Sequence, residues 1–179
     1  MTLEQTLDRL IVDVQDFPEP GIVFKDITPL LADHDGFTEI VQALAAAGRD
    51  ESGRPIVDKV LGMEARGFIL AAPVALALGA GFIPVRKAGK LPRETHAVSY
   101  SLEYGEATLE LHQDACQPGD RVLLIDDVLA TGGTVAATVD LARRSGAEVV
   151  GVAVLMELVA LNGRSAIGGD VPVTALMQV

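Results

Sequence analysis

Two neighbouring groups of residues suited to ligand binding or catalysis lie in one run of the chain, Val122–Thr134, with the sequence VLLIDDVLATGGT. An apolar stretch typical of a buried strand leads into two adjacent acids, Asp126 and Asp127. After a short spacer, a glycine-bearing turn at residues 130–134 opens a predicted helix. Backbone N–H groups and the helix dipole at such a turn favour a phosphate, whereas carboxylates suit sugar hydroxyls or a phosphate-bound Mg²⁺. The acid pair and the turn together predict a site for a ribose 5-phosphate.

The same run has a simpler interpretation as an ordinary strand-to-helix turn. In that case Asp126 and Asp127 are solvated at the end of the strand, and a Thr or Gly residue caps the helix. The paired acids on an apolar strand, followed by Thr-Gly-Gly-Thr, favour the phosphate site over this alternative.

The elements that position this run alternate between strands and helices. Short apolar runs predict strands at 57–61, 82–86, 121–125 and 149–155, and helical periodicity predicts helices at 36–48, 68–78 and 132–145. This alternation is typical of an α/β fold with a parallel sheet and helices on both faces. Open sheets of this kind bind ligands at the carboxyl ends of their strands, where the turn at 130–134 lies.

The other segments predict a helix, two loops and a hairpin. Thr2 and Gln5 form a predicted capping box before a helix with the apolar stripe Leu3, Leu7, Leu10 and Val14. Residues 17–31 are predicted as a Pro-rich loop and a short turn. Residues 87–98 are a polar segment predicted as a loop, and 99–111 alternate as in a hairpin.

Composition limits the class of protein. The chain has 179 residues, of which 49% are hydrophobic and 4% aromatic, so one domain with an aliphatic core is expected. The net charge of −11 argues against non-specific nucleic-acid binding. A single cysteine, Cys116, excludes an internal disulfide and a cysteine-based zinc site, and together with the lack of a signal-peptide pattern it predicts the cytoplasm.

One uncharged stretch raises the question of a membrane. Phe68–Val85 carries no charge over 18 residues, which is the lower limit for a membrane-spanning helix. Pro73, Gly79 and Pro84 interrupt it, however, so we expect a helix, a turn and a buried strand, and no membrane partner.

The run Val122–Thr134 resembles the phosphoribosyl-pyrophosphate (PRPP) motif of the type I phosphoribosyltransferases. Further segments are similar, in the same order, to family members that act on adenine: FPEPGIVFKDITPLL, GMEARGF, VRKAGKLP, YSLEYG and LMELVALNGR. The resemblance implies the α/β fold of this family, a twisted and mainly parallel sheet flanked by helices, with residues 1–179 as one domain. It also implies a small hood, from about residues 17–31 and the C-terminal segment, and a flexible loop at about 87–107.

The activity implied by the resemblance is the reaction of adenine with PRPP to give AMP and pyrophosphate. Mg²⁺ is the implied cofactor, carried on PRPP close to Asp126 and Asp127 without direct protein ligands of its own. A homodimer is the implied assembly, and the apolar surface of residues 68–85 is a candidate for its interface.

The family motifs assign the PRPP-binding residues. Asp126 and Asp127 face the ribose hydroxyls, and five residues surround the 5-phosphate: Ala130, Thr131, Gly132, Gly133 and Thr134. The pyrophosphate loop comprises Glu64, Ala65 and Arg66, with Arg66 as the charged contact and as a catalytic residue. A strained or cis peptide is implied between Glu64 and Ala65, and many relatives carry Ser in place of Ala65. The remaining cations on the pyrophosphate side are Arg86, Lys87 and Lys90.

The resemblance also assigns the base site and a lid. Val23 and Lys25 offer backbone groups to the edge of adenine, and Lys25 stands where other relatives carry Arg. Phe24 and Leu158 contact the two faces of the base. Glu103 matches the glutamate that handles a proton on the adenine ring, and Tyr104 closes over the site.

Other interpretations remain open on the residues alone. Arg66 could cap a turn, the cations at 86–90 could be a solvated loop, and Glu103 could be an exposed acid in a hairpin. Periodicity alone makes Phe24 and Leu158 core residues. At the level of function, the alternatives are a PRPP-binding regulator of transcription, an enzyme for another base (hypoxanthine, guanine, xanthine, uracil or orotate), and a plain nucleotide-binding module.

Overall fold

The computed structural model describes residues 2–102 and 105–179. The chain divides into two compact units, Met1–Gln42 and Ala43–Val179, where the sequence predicts one domain. Each unit is described by itself.

The first unit is built from short helices and a two-stranded ribbon. Its elements are α1 (Leu3–Leu10), β1 (Val12–Gln15), β2 (Val23–Asp26), α2 (Thr28–Ala32) and most of α3 (His34–Ala45). The predicted capping box is confirmed, because Gln5 N–H donates to Thr2 Oγ1 at 3.3 Å and Thr2 N–H donates to Gln5 Oε1 at 3.0 Å. The strands of the ribbon are antiparallel, with Asp13 opposite Lys25.

Two predictions for the first unit are wrong in detail. Val14 does not continue the helical stripe, because α1 ends at Leu10 and Val14 lies in β1. The β-branched residues Val12 and Val14 alternate with polar neighbours, which favours a strand over another helical turn. The segment 17–31 is not only a loop, since it contains β2 and the start of α2.

The second unit is a sheet with helices packed on it. Its elements after α3 are a 3₁₀ turn (Ala46–Gly48), β3 (Lys59–Met63), α4 (Arg66–Leu78), β4 (Gly81–Lys87), β5 (Thr95–Ser101), β6 (Glu106–His112), β7 (Arg121–Leu129), α5 (Gly133–Arg144), β8 (Glu148–Glu157), a second 3₁₀ turn (Val159–Leu161), α6 (Arg164–Ile167) and β9 (Val173–Gln178). The seven strands of the described part follow the order β5-β6-β4-β3-β7-β8-β9. The pairs among β4, β3, β7, β8 and β9 are parallel, whereas β5–β6 and β6–β4 are antiparallel. The predicted α/β class and mainly parallel sheet are therefore confirmed.

The core of the second unit is aliphatic, as the composition predicts. Leu61, Leu124 and Val154 on three adjacent strands are fully buried, and Leu141 of α5 is buried against the same cluster. Strand β7 is buried along almost its whole length, since it has a parallel neighbour on each side. Such burial explains why its sequence is a continuous apolar run rather than an alternating one.

Several element boundaries differ from the prediction. Strand β7 continues to Leu129, so Asp126 and Asp127 lie within the strand rather than after it. The polar loop predicted at 87–98 is shorter, because β5 begins at Thr95. Strand β9 was not predicted, although its residues pair in parallel with β8.

The uncharged stretch Phe68–Val85 forms a helix, a turn and a strand, which confirms the prediction. Helix α4 ends at Gly79, whose φ of 65° is the left-handed conformation typical of a helix C-cap, and β4 follows. Among the residues described, no helix combines the length and the apolar character that a membrane span needs.

Candidate active site

The carboxyl ends of four parallel strands gather the predicted functional segments of the second unit at one edge of the sheet. Strands β3, β4, β7 and β8 end at Met63, Lys87, Leu129 and Glu157. The ends of these strands and the segments that follow them contain Glu64–Arg66, the cations Arg86, Lys87 and Lys90, the turn at 130–134 and Leu158. This edge is where open α/β sheets bind their ligands.

The acid pair on β7 is buried. Asp126 and Asp127 are 8% and 6% exposed, and the Asp127 N–H donates to Asp126 Oδ1 at 2.9 Å. Burial raises the pKa of Asp126 well above its ordinary value, and the neighbouring charge of Asp127 raises it further. Burying two adjacent carboxylates without a ligand costs folding free energy. Such destabilised acid pairs are typical of functional sites.

Arg66 provides the charge that offsets Asp127. Its Nε lies 2.7 Å from Asp127 Oδ2, although among the described residues this oxygen has no donor in hydrogen-bond geometry. Arg66 is the first residue of α4, so the ion pair joins the start of this helix to β7. The family motifs assign a role to each of these two residues, but no sequence pattern predicts that they pair.

Gly67 allows α4 to start this close to the acids. A Cβ atom at Gly67 would lie 2.9 Å from Asp126 Oδ1 and 3.1 Å from the carbonyl oxygen of Ile125. A contact below about 3 Å forces neighbouring atoms to move, so only glycine fits here without displacement.

The turn after β7 forms a small pocket of about 60 Å³. The structure brings all five predicted phosphate-loop residues into its lining, together with three neighbours: Val128, Leu129, Ala130, Thr131, Gly132, Gly133, Thr134 and Val135. Gly132 precedes α5 with a φ of 86°, and no side chain caps the helix within the described structure. The N–H groups of the first turn of α5 therefore lack a side-chain acceptor, as an anion site requires.

A second glycine, missed by the sequence analysis, supports this turn. A Cβ at Gly132 would lie 2.2 Å from the carbonyl oxygen of Gly163, and a Cβ at Gly163 would lie 2.3 Å from that of Ala130. The two backbones therefore touch, and each needs glycine. The only sequence signal was the Asn-Gly dipeptide in LMELVALNGR, a common turn pattern.

The segment around Gly163 is fixed by a buried carboxylate. Glu157, only 5% exposed, accepts two hydrogen bonds from Arg164, at 2.7 and 2.8 Å, and one from Gln178 at 3.1 Å. The hydrogen bonds from Arg164 lower the pKa of Glu157. These hydrogen bonds hold the segment between Glu157 and Arg164 in place. At the start of this segment, Leu158 N–H donates to Leu129 O at 2.9 Å.

The segments after β3 and β4 are joined through Glu64. Its carboxylate accepts the Lys87 N–H at 2.9 Å and lies 3.5 Å from Arg86 Nε, while Arg86 donates to Lys90 O at 3.3 Å. The peptide bond between Glu64 and Ala65 is cis, at the position that the resemblance implied. Glu64 therefore contacts the cationic segment, and its negative charge makes it a support for these cations rather than a ligand of an anion.

The predicted hood residues lie on β2 of the first unit. Phe24 packs edge-to-face on Phe17 at a centroid distance of 5.2 Å, and Lys25 Nζ lies 2.6 Å from Asp13 Oδ1. A pocket of about 340 Å³ is lined by Val14, Phe17, Phe24 and Asp26. The sequence analysis missed Phe17 and Asp13, which only the antiparallel ribbon brings to these positions.

The remaining predicted residues have different outcomes. Phe24 and Leu158 are each half-buried, which argues against the alternative that they are simple core residues. Glu103 and Tyr104 lie outside the described residues. Within the described residues, no group of three or more His, Cys, Asp and Glu side chains could hold a metal ion.

Comparison with known proteins identifies the family. A family model described as the phosphoribosyl transferase domain matches residues 31–166. An adenine phosphoribosyltransferase from a Nocardioides species is 71% identical over 170 residues, which cover 95% of this chain and 91% of that protein.

Solved structures agree. The crystal structure of adenine phosphoribosyltransferase from Rhodothermus marinus matches with a TM-score of 0.91 and 50% identity, over 99% of this chain and 98% of that chain. The Saccharomyces cerevisiae enzyme, complexed with D-2,5-dideoxy-2,5-imino-altritol 1,6-bisphosphate and adenine, matches with a TM-score of 0.91 and 36% identity, over 97% and 98%. Both the family model and these relatives span most of the sequence, and the chain therefore belongs to the phosphoribosyltransferase family, among the adenine phosphoribosyltransferases.

Proposed function

We propose that the described edge of the sheet binds PRPP and that this chain transfers its 5-phosphoribosyl group to adenine, giving AMP and pyrophosphate in purine salvage. The observation that carries the proposal is that β7 presents a buried acid pair and that the turn after β7 forms a pocket. Buried Asp126 and Asp127 are followed within the same strand-loop-helix unit by the glycine-lined pocket before α5. The yeast relative, whose structure contains adenine and an imino-sugar bisphosphate, supports this choice of substrates.

The reaction exchanges one bond at the anomeric carbon. The bond from this carbon to the pyrophosphate oxygen breaks, a bond to a ring nitrogen of adenine forms, and one proton leaves the base. Positive charge develops on the sugar and negative charge on the leaving group. We expect much of the acceleration to come from holding the two substrates in line, since this chain needs no covalent nucleophile for the exchange.

The proposed PRPP contacts are supported by the geometry of the turn and the acid pair. The N–H groups of residues 130–134 donate to the 5-phosphate, and Asp126 and Asp127 accept hydrogen bonds from the ribose hydroxyls. Arg66 carries five N–H donors, so it can keep its ion pair with Asp127 and also donate to pyrophosphate.

Charge on the leaving pyrophosphate is offset by Arg66 together with the cations at the end of β4 and just beyond it, Arg86, Lys87 and Lys90. Arg86 Nε is buried, and in the described part of the chain it has no partner in hydrogen-bond geometry. Glu64 restrains Arg86 and Lys87, and Lys90 is linked to Arg86 through its carbonyl oxygen. Preorganised donors of this kind stabilise charge as it develops.

Mg²⁺ is the proposed cofactor, brought to the site on PRPP. Asp126 and Asp127 present carboxylate oxygens of the hard type that Mg²⁺ favours nearby, so they suit an ion that is carried on PRPP and takes its direct ligands from substrate and water. Bound there, Mg²⁺ would supply positive charge to the pyrophosphate oxygens. A divalent cation would also favour the ionised form of Asp126, whose burial otherwise disfavours it.

The base site remains a proposal from the family motifs. Backbone groups of Val23 and Lys25 would bind the edge of adenine, Phe24 and Leu158 would contact its faces, and the ion pair with Asp13 would keep the Lys25 side chain away from the base. Glu103 is the proposed group that handles the proton of the base, and Tyr104 the proposed lid residue.

A homodimer is the proposed assembly, with residues 68–85 at its interface. Three apolar side chains of this segment are exposed in the described structure: Ile69 at 44%, Leu76 at 82% and Phe82 at 37%. Light scattering on wild type and Leu76→Glu would test this, because a charge on the interface should shift the dimer towards monomer.

The cytoplasm is the proposed compartment, supported by the single, buried thiol of Cys116.

A base panel tests the proposed function. The purified protein is mixed with PRPP and Mg²⁺, and adenine, hypoxanthine, guanine, xanthine, uracil or orotate is added, with nucleotide and pyrophosphate assayed together. A reaction without any base controls for hydrolysis of PRPP. We expect AMP and pyrophosphate in equal amounts with adenine alone. Turnover of a different base would overturn the base assignment, and PRPP binding without turnover of any base would favour a regulator.

A further inference from the structure

Tyr100 of β5 reaches the phosphate loop through two separate contacts. Its hydroxyl lies 2.9 Å from Thr134 Oγ1. Its ring covers Gly133, because a Cβ at Gly133 would lie 2.8 Å from Tyr100 Cδ2 and 3.2 Å from Cε2. The ring is partly buried and packs on the core of the second unit, so more than its contacts with the loop holds it in place.

The possible hydrogen-bond directions at Thr134 are limited. A threonine hydroxyl has one proton to donate and can accept two hydrogen bonds, whereas a phosphate oxygen without a proton only accepts. If Thr134 donates to the 5-phosphate, it has no proton left for Tyr100. Tyr100 must then be the donor in the bond between the two hydroxyls.

We propose that Tyr100 is a positioning residue for PRPP: it donates to Thr134 and thereby directs the Thr134 proton to the 5-phosphate. The inference rests on the proposed phosphate site and deepens it. The ring of Tyr100 over Gly133 restrains the same loop from the side, so the orientation of Thr134 is fixed before the ligand arrives.

The contact also connects two parts of the site. Tyr100 pairs with Ala107 where β5 and β6 run antiparallel, and Leu102 N–H donates to Gly105 O at 2.9 Å. The segment YSLEYG, which carries the proposed proton-handling Glu103, therefore begins at the residue that contacts the phosphate loop.

Binding of ribose 5-phosphate to variants tests this inference without depending on adenine transfer. Tyr100→Phe keeps the ring and removes the donor, and we expect its Kd for ribose 5-phosphate, measured by calorimetry, to rise about 3- to 10-fold. The matched control is Ser99→Ala, which removes a neighbouring hydroxyl pair with Thr108 on the same hairpin and should leave the Kd unchanged. In kinetics, Tyr100→Phe should raise KM for PRPP and leave KM for adenine unchanged.

A double-mutant cycle separates positioning from packing. In a Thr134→Val background, Tyr100→Phe should have no further effect on the Kd, because the proton it directs is absent. Thr134→Val should raise the Kd more than Thr134→Ser, which keeps the hydroxyl, and this comparison leaves the tyrosine intact. Equal affinity of wild type and Tyr100→Phe, or additive effects in the cycle, would overturn the inference. A wild-type protein that forms AMP but does not bind ribose 5-phosphate would also overturn it, whereas a protein that binds ribose 5-phosphate and forms no AMP would overturn only the proposed function.

Discussion

Arg66 and Asp127 form an ion pair in which Nε and Oδ2 are 2.7 Å apart. The two side chains differ in exposure, since that of Asp127 is 8% exposed and that of Arg66 is 43% exposed. The guanidinium group therefore contacts Asp127 through Nε, while the Arg66 side chain as a whole remains partly exposed to solvent. This arrangement places the proposed ribose contact and the proposed pyrophosphate contact side by side.

Arg66→Gln should lower kcat/KM for PRPP by about 100- to 1000-fold, because a charge that stabilises the leaving group is lost. Arg66→Lys should fall between this variant and wild type, since lysine keeps the charge without the planar set of donors. Steady-state kinetics with varied PRPP would measure both. Arg54→Gln, which breaks an exposed ion pair with Asp50, is the control and should behave as wild type. Wild-type kinetics for Arg66→Gln would remove this residue from the site.

Asp126→Asn should stabilise the fold and abolish activity. The pKa of Asp126 is raised by burial and by Asp127, so the ionised form destabilises the native state once the pH exceeds the unfolded value of about 3.8. Asparagine imitates the protonated form and still accepts the Asp127 N–H. We expect the free energy of unfolding near neutral pH to rise by about 0.5–2 kcal/mol.

The pH dependence of this gain has a defined sign. Stability of the wild type falls as the pH rises from the unfolded pKa towards the raised folded pKa of Asp126, so the advantage of Asp126→Asn should vanish near pH 4 and reach a plateau at higher pH. Urea unfolding across this pH range would measure it. A variant that is less stable than wild type at neutral pH would show that Asp126 stabilises the fold.

Gly163→Ala should displace the phosphate loop at Ala130. Its new Cβ would lie 2.3 Å from Ala130 O, so the turn must shift. We expect a loss of about 1–3 kcal/mol in unfolding free energy and of about 10- to 100-fold in kcat/KM for PRPP. Gly169→Ala is the matched control, because a Cβ there meets nothing within 4 Å. Thermal melting and PRPP kinetics on both variants provide the comparison, and equal behaviour of the two would contradict the proposed support.

Asp58→Asn should lower the free energy of unfolding by an amount that depends on pH. Asp58 accepts hydrogen bonds from the Arg121 backbone and guanidinium, which lower its pKa to about 2. The stabilisation is present above the unfolded value of about 3.8 and is lost as the pH falls through about 2. Because the side chains of Arg121 and Asp58 are 45% and 41% exposed, we expect a difference below about 1 kcal/mol at neutral pH. Urea unfolding should show this difference shrinking as the pH falls from 4 towards 2, and a constant difference would contradict it.

Local patterns predicted those parts of the fold and site that depend on neighbouring residues. The capping box at Thr2, the turn at Gly79 and the glycine turn before α5 are each encoded within a few positions, and all are present. Val14 was misassigned because a helical stripe and a β-branched strand overlap in IVDV. Strand β9 was missed because only its pairing with β8 defines it.

The contacts between distant segments could not be predicted from the sequence. Arg66 with Asp127, Gly132 with Gly163, and Tyr100 with Thr134 join residues that no periodicity relates, and only the strand order brings them together. The resemblance to the family supplied roles for several of these residues but no partner for any of them.

A crystal structure with AMP bound is the most direct test of the proposed site. We expect the phosphate oxygens of AMP to accept hydrogen bonds from N–H groups within residues 130–134, and the ribose hydroxyls to donate to Asp126 or Asp127. A phosphate bound instead at Arg66 or at the cations of residues 86–90, with the pocket before α5 not in contact with AMP, would contradict the assignment.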